Sequence, residues 1–182
     1  MRRAAAVVGS VVVLCVVSLS AGVALGQSGT SGSIKVWVNL PVTSNGNAPN
    51  PIVITGVIGD YGTAISVNGK GKSDANGNFE RIRLKKGKFT VNGTAVNQAL
   101  NNASPSDFNS ATCSASITAG PVTIPIVDGS GTGAYSGISG SVTLNADLAF
   151  VGPKTKSGSC NMKANPLAGF GVITGTGTVT IP

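Results

Sequence analysis

The stretch VTLNADLAF, running from Val142 to Phe150, places Val142, Leu144, Ala146, Leu148 and Phe150 on one side and Thr143, Asn145 and Asp147 on the other. Apolar residues that recur with period 2 over nine positions describe a strand with one buried and one solvated face. Shorter segments of the same character lie on either side of it. They are Ile34 to Val38, Ile52 to Ile58, Tyr61 to Val67, Phe79 to Lys85, Lys88 to Thr94, Thr112 to Thr118, Val122 to Val127 and Gly171 to Ile181. So many strands in one small chain predict an all-β fold, a β-barrel or a β-sandwich.

The connections agree with antiparallel pairing. Asp74, Ala75, Asn76 and Gly77 stand between two alternating runs, where Asn-Gly supplies the positive φ angles of a hairpin turn, and Lys86-Gly87 marks the next reversal. Ile65 to Val91 therefore reads as a meander. Helical periodicity is scarce, and Val96 to Asn109 is expected to be a polar loop with room for one helical turn before Pro105. Thr43 to Pro51 is expected to be a loop without core residues.

The chain has 182 residues, no His and only 10% charged residues. Chemistry that depends on an imidazole, whether a triad, a proton shuttle or a His metal site, is excluded. Arg2 and Arg3 precede an apolar run from Ala4 to Val17, and Ala24-Leu25-Gly26 follows before Gln27. A charged start, an apolar stretch and a small-x-small site form the pattern of a cleaved export signal. The organisation expected is a signal peptide over 1–26, a Ser/Gly linker over 27–33 and a single β-barrel domain over 34–182. Cleavage after Gly26 leaves about 156 residues, enough for one core. The protein is then secreted or held in the cell envelope, with no membrane span after cleavage.

Of the three cysteines, Cys15 lies in the apolar run and leaves with the signal. Cys113 and Cys160 remain, and an even pair in an exported chain is expected to form a disulfide. Closing a loop of about 47 residues would stabilise the fold by roughly 4 kcal/mol on the chain-entropy model.

The net charge is +7 for the whole chain. Its cations concentrate between Lys70 and Lys88, where only Phe79 and Phe89 are interleaved as stacking aromatics. This describes a basic hairpin facing solvent and an anionic surface partner rather than a specific nucleic-acid reader. The acids are six in all, Asp60, Asp74, Glu80, Asp107, Asp128 and Asp147, and no two are spaced to share a strand face. Asp74 to Gly77 resembles the start of a calcium loop, but no Glu follows at the required offset, so turn chemistry explains it. Thr174, Thr176, Thr178 and Thr180 read as the solvent face of the last strand. No metal or cofactor is called for.

The run DGSGTGAYSGISG, Asp128 to Gly140, precedes the long Val142 strand and resembles the Gly-Thr-Gly-aromatic turn of the allene oxide cyclase and dirigent-like barrels. Upstream, LKKGKFTVNG, Leu84 to Gly93, is similar to a strand-turn-strand of the same family. The resemblance implies an eight-stranded antiparallel barrel with a central cavity, in which Tyr135 caps one end. Gly77-Asn-Phe79 followed by Leu84 to Val91 also resembles a pattern of adhesin-type sandwiches, over fifteen residues or so.

The resemblance does not carry an activity, because none of the family's cavity residues can be placed on this chain. The leading expectation is an exported, non-catalytic barrel that binds a small apolar ligand or a surface partner. The alternative is a cofactor-free isomerase or a radical-orienting protein of the cyclase or dirigent type. Asp60, Tyr61 and Tyr135 are the candidate pocket residues. On the strand Phe79 to Lys85, period 2 sets Ile82 and Leu84 against Arg81, Arg83 and Lys85. Three cations inside would lack partners, so Ile82 and Leu84 are expected inside and Arg81 and Arg83 outside.

Overall fold

A computed structural model describes residues 29–41, 48–161 and 163–182. The signal expected over 1–26 lies outside the described residues, as do the first residues of the linker. Ten strands and one helix follow: β1 (Thr30–Pro41), β2 (Asn50–Gly56), β3 (Asp60–Val67), β4 (Phe79–Leu84), β5 (Gly87–Asn92), α1 (Thr94–Asn102), β6 (Ser106–Asn109), β7 (Ser114–Pro125), β8 (Thr132–Gly133), β9 (Ser139–Val151) and β10 (Ala168–Ile181).

All strands belong to one antiparallel sheet in the order β6-β7-β9-β10-β1-β2-β3-β4-β5-β8. Its ladder has two ends and does not close. The margins nevertheless meet at one point, where Val91 of β5 bridges Ile126, just beyond β7, and the Val127 amide donates to the Thr90 carbonyl at 2.8 Å. The sheet is therefore curled, with an inner face that encloses the core.

Several boundaries differ from the sequence reading: β2 begins at Asn50, inside the segment expected to be a loop, and β6 lies inside the expected polar loop Val96 to Asn109. β1 begins at Thr30, inside the segment read as linker, because Thr30 to Ser33 pair with Thr178 to Ile181 of β10. Small polar residues on an exposed strand look like linker until a partner strand is known. Thr112 to Thr118 and Val122 to Val127 read as two strands, yet the backbone carries one strand, β7, from Ser114 to Pro125 through an irregularity between Ala119 and Val122. The polar loop after β5 contains a nine-residue helix, α1, in which Val96 and Leu100, one turn apart, share the face turned to the core.

Alternation decides which residues fill the interior. Ile34, Val36 and Val38 of β1, Ile52 and Ile54 of β2, Ile82 and Leu84 of β4, and Phe89 and Val91 of β5 are buried. The opposite face of the same strands carries Lys35, Arg83 and Lys88, together with the exposed apolar Trp37 and Val53. On β10 the inner positions 171, 175 and 177 are glycines, each opposite a larger residue of β9. A Cβ at Gly175 would lie 2.3 Å from Leu144 Cδ2, and one at Gly171 would lie 2.3 Å from Leu148 Cδ2. The two leucines thus occupy the notches that the glycines leave.

Cys113 and Cys160 form a disulfide with their Cα atoms 5.4 Å apart. It ties the start of β7 to the segment after β9, beside the amide of Gly152, which donates to the Cys113 carbonyl at 2.8 Å.

Candidate functional site

The curled sheet and α1 line a cavity of about 220 Å³ that is partly open. Its walls are the inner residues of β1 and β2, Ala64 of β3, Ile82 of β4 and Phe89 and Val91 of β5, joined by Ile124 of β7, Val142 and Leu144 of β9 and Ile173 of β10. Four polar residues interrupt this lining: Asn50, Ser66, Glu80 and Asn97. All four are half-buried.

Glu80 faces inward for the same reason as Ile82 and Leu84, because the three alternate along β4. Its register partner on β3 is Ser66, whose hydroxyl donates a hydrogen bond to Glu80 Oε1. Burial raises the Glu80 carboxyl above the ordinary glutamate value, and the Ser66 hydrogen bond opposes part of that rise. Among the described residues of the lining, it is the one ionisable group.

α1 closes this side of the cavity with Val96, Asn97 and Leu100. The Asn97 amide nitrogen donates to the Gly77 carbonyl at 3.2 Å and to Asn78 Oδ1 at 3.3 Å, so the helix is fastened to the turn that leads into β4. The Gly93 amide adds a bond to the Asn78 carbonyl at 2.8 Å.

Asp60 and Tyr135 meet elsewhere. Asp60 opens β3, six residues from Ser66, which is roughly 20 Å along an extended strand. Its carboxylate, 6% exposed, accepts the Tyr135 hydroxyl at 2.6 Å, the Lys86 amide at 3.0 Å and the Tyr61 amide at 2.8 Å. Burial pushes the Asp60 carboxyl upward, but the Tyr135 hydroxyl and the backbone amides outweigh it, and its pKa lies below the ordinary aspartate value. Tyr135 is shifted the other way. Burial, the Asp60 hydrogen bond and the Asp60 charge all raise its phenol. The Tyr135 ring packs edge-on against Phe89 with centroids 5.7 Å apart.

Two of the candidate pocket residues, Asp60 and Tyr135, are thus brought together, but as a buried plug that contributes no side chain to the cavity lining. The third, Tyr61, is 58% exposed on the outer face, with the Lys85 ammonium 5.5 Å from its ring centroid. Arg83 is exposed, and the Arg81 guanidinium donates to the Gly71 carbonyl. Ile82 and Leu84 are inside, as the strand pattern predicts. The sequence reading does not single out Glu80 or Asn97. The signal for Glu80 was present in the alternation that assigned Ile82 and Leu84, whereas Asn97 required the helix to be known.

Among the described residues no cluster of three or more His, Cys, Asp or Glu could hold a metal ion, and no helix is long and apolar enough to cross a membrane. No protein-family model, curated protein or solved structure matches the chain.

Proposed function

We propose that this is an exported, non-catalytic protein that binds a small apolar or amphipathic molecule in its interior cavity. The observation that carries the reading is the cavity itself: an aliphatic and aromatic lining interrupted by four polar residues, one each from β2, β3, β4 and α1, of which Ser66 and Glu80 are hydrogen-bonded to each other. Such a site buries the body of a ligand and orients its polar end. A catalytic reading of the isomerase type would need an acid and a base that converge in the cavity, and among the described residues the lining has Glu80 as its one ionisable group. Asp60 and Tyr135, the pair best suited to such chemistry, satisfy each other outside the lining.

The export half of the proposal rests on the signal-like pattern of Arg2 to Gly26 and on the disulfide, which suits an oxidising compartment. A native mass spectrum of protein purified from its own host tests the binding half. The expected result is a non-covalent adduct that is lost when the cavity is filled by Ala64→Phe. An adduct that persists in this variant, with its fold intact, would place the ligand elsewhere.

A surface role accompanies the cavity. Arg83, Lys85 and Lys88 are all exposed on the outer side of β4 and β5, where they form a cationic patch suited to an anionic partner.

A further inference from the structure

The polar end of the cavity limits what its ligand carries. This inference rests on the cavity being a binding site. The lining contains one carboxyl, from Glu80, and no Lys or Arg. The cations nearest in sequence, Arg81 and Arg83, stand on the opposite face of β4. A ligand with an anionic head would place a second negative group beside Glu80, in a space of low dielectric without a counter-ion. A cationic head would meet a partner.

We propose that the cavity binds an apolar amine, with its hydrocarbon body among Ile34, Ile52, Ile82 and Phe89 and its ammonium group on the Glu80 carboxylate. An ammonium has three N–H donors and no acceptor, so it needs several oxygens at once. Glu80 offers two, one of which already accepts the Ser66 hydroxyl. Asn97 has its amide nitrogen engaged with Gly77 and Asn78, which leaves its carbonyl oxygen as its unused group. Asn50 lines the same cavity from β2. Bonds from an ammonium to a carboxylate are roughly twice as strong as neutral ones, which makes the head group the selective part of the ligand. A cavity of about 150 Å³ accepts benzene, so the volume of about 220 Å³ suits roughly ten heavy atoms.

The long-range field acts in the opposite sense. With a net charge of +7, the chain attracts anions, so a preference for amines cannot arise from overall charge.

Isothermal titration at pH 7 with octylamine, 1-octanol, octanoate and octyltrimethylammonium tests the proposal on the intact protein. Octylamine is expected to bind about tenfold more tightly than octanol, a difference of ~1.4 kcal/mol, and octanoate is expected to bind more weakly than either. Octyltrimethylammonium keeps the charge but has no N–H donor, and is also expected to bind more weakly than octylamine. Glu80→Gln should lower octylamine to the level of octanol and leave octanol unchanged. Octanoate binding as tightly as octylamine, octyltrimethylammonium equal to octylamine, or an unaltered preference in folded Glu80→Gln would each overturn the amine assignment. If octanol binds and only the head-group preference is missing, the cavity reading survives. If none of the four binds, both fail. The comparison of the four ligands needs no variant, so the proposal stays open to refutation even if Glu80→Gln does not fold.

Discussion

Tyr135 donates its hydroxyl to Asp60 at 2.6 Å, across 75 residues of sequence, and so fixes the Gly-rich turn before β9 against the start of β3. Asp60 is the one buried charged residue among those described, and its carboxylate is held by this hydroxyl and two backbone amides. Tyr135→Phe removes one partner and leaves the charge buried. The expected cost is about 1.5–3 kcal/mol, the usual range for a hydrogen bond to a charged group. Chemical denaturation at pH 7 measures it.

The same contact predicts an acid dependence. The pKa of Asp60 is lower in the folded chain than the ordinary value of about 3.9 in an unfolded one. Its stabilising contribution is therefore complete above about pH 5 and is lost as the pH falls through the depressed folded value. In Tyr135→Phe burial is less opposed, the folded pKa rises, and acid unfolding should begin at a higher pH than in the wild type. An unchanged acid midpoint would show that the backbone amides alone hold the carboxylate.

Glu80 predicts the reverse sign. Its folded pKa is raised by burial, so between the unfolded value and the folded one the native state keeps a proton that the unfolded chain has released. Stability attributable to Glu80 therefore falls as the pH rises through that window, which opens near 4.5. Glu80→Gln keeps an oxygen to accept the Ser66 hydroxyl and removes the penalty. Its melting temperature at pH 7 should exceed that of the wild type by ~2–4 °C, the shift that about 1 kcal/mol produces in a domain of this size. Below pH 4 the two should converge.

Glu80 also marks how far the sequence could be read. The alternation of β4 placed Ile82 and Leu84 inside and Arg83 outside, because a three-residue pattern has only two registers and one of them buries cations. The same alternation includes Glu80, one period before Ile82, but a carboxylate is a residue type that rarely faces a core, and the apolar pattern alone does not mark it as an inner position. Asp60 and Tyr135 were recognisable as residue types that need partners when buried. That they would be each other's partner depends on how the turn from Asp128 to Gly140 folds back over β5, which no local pattern encodes. The strand at Thr30 to Ser33 was hidden for a related reason: its small polar residues acquire structure only from the register with β10.

Leu144 and Gly175 provide a test of packing. An added methyl at Gly175 would meet Leu144 Cδ2 at 2.3 Å and the Thr143 carbonyl oxygen at 2.8 Å. Gly175→Ala should destabilise by about 1–3 kcal/mol, as overpacking in a filled core does. Leu144 lines the cavity, so its displacement should also weaken ligand binding. Adding Leu144→Ala should recover part of the overpacking cost, since the backbone contact with Thr143 remains. A fully additive double-mutant cycle would show that the leucine does not occupy the notch.

The disulfide between Cys113 and Cys160 spans 47 residues. On the chain-entropy model its removal costs roughly 4 kcal/mol. The double variant Cys113→Ser with Cys160→Ser should therefore melt well below the oxidised protein. The bond sits where β7 begins and away from the cavity lining, so ligand affinity measured below the melting transition should be preserved.

Arg81 and Arg83 predict different outcomes although both side chains lie on the outer side of β4. Arg83 is exposed and stands directly opposite Lys88 in the register, a like-charge pair that contributes no stability. Replacing Arg83 and Lys88 by Gln should leave the melting temperature equal or slightly higher and cause earlier elution from a cation-exchange matrix. Arg81 instead donates to the Gly71 carbonyl and so secures the turn between β3 and β4. Arg81→Gln should lose about 0.5–1.5 kcal/mol, the net worth of an ordinary hydrogen bond, with a smaller effect on elution. Equal effects of the two changes on stability would show that Arg81 does not secure that turn, and equal elution of wild type and Arg83/Lys88 variant would remove the cationic patch as a docking surface for anions.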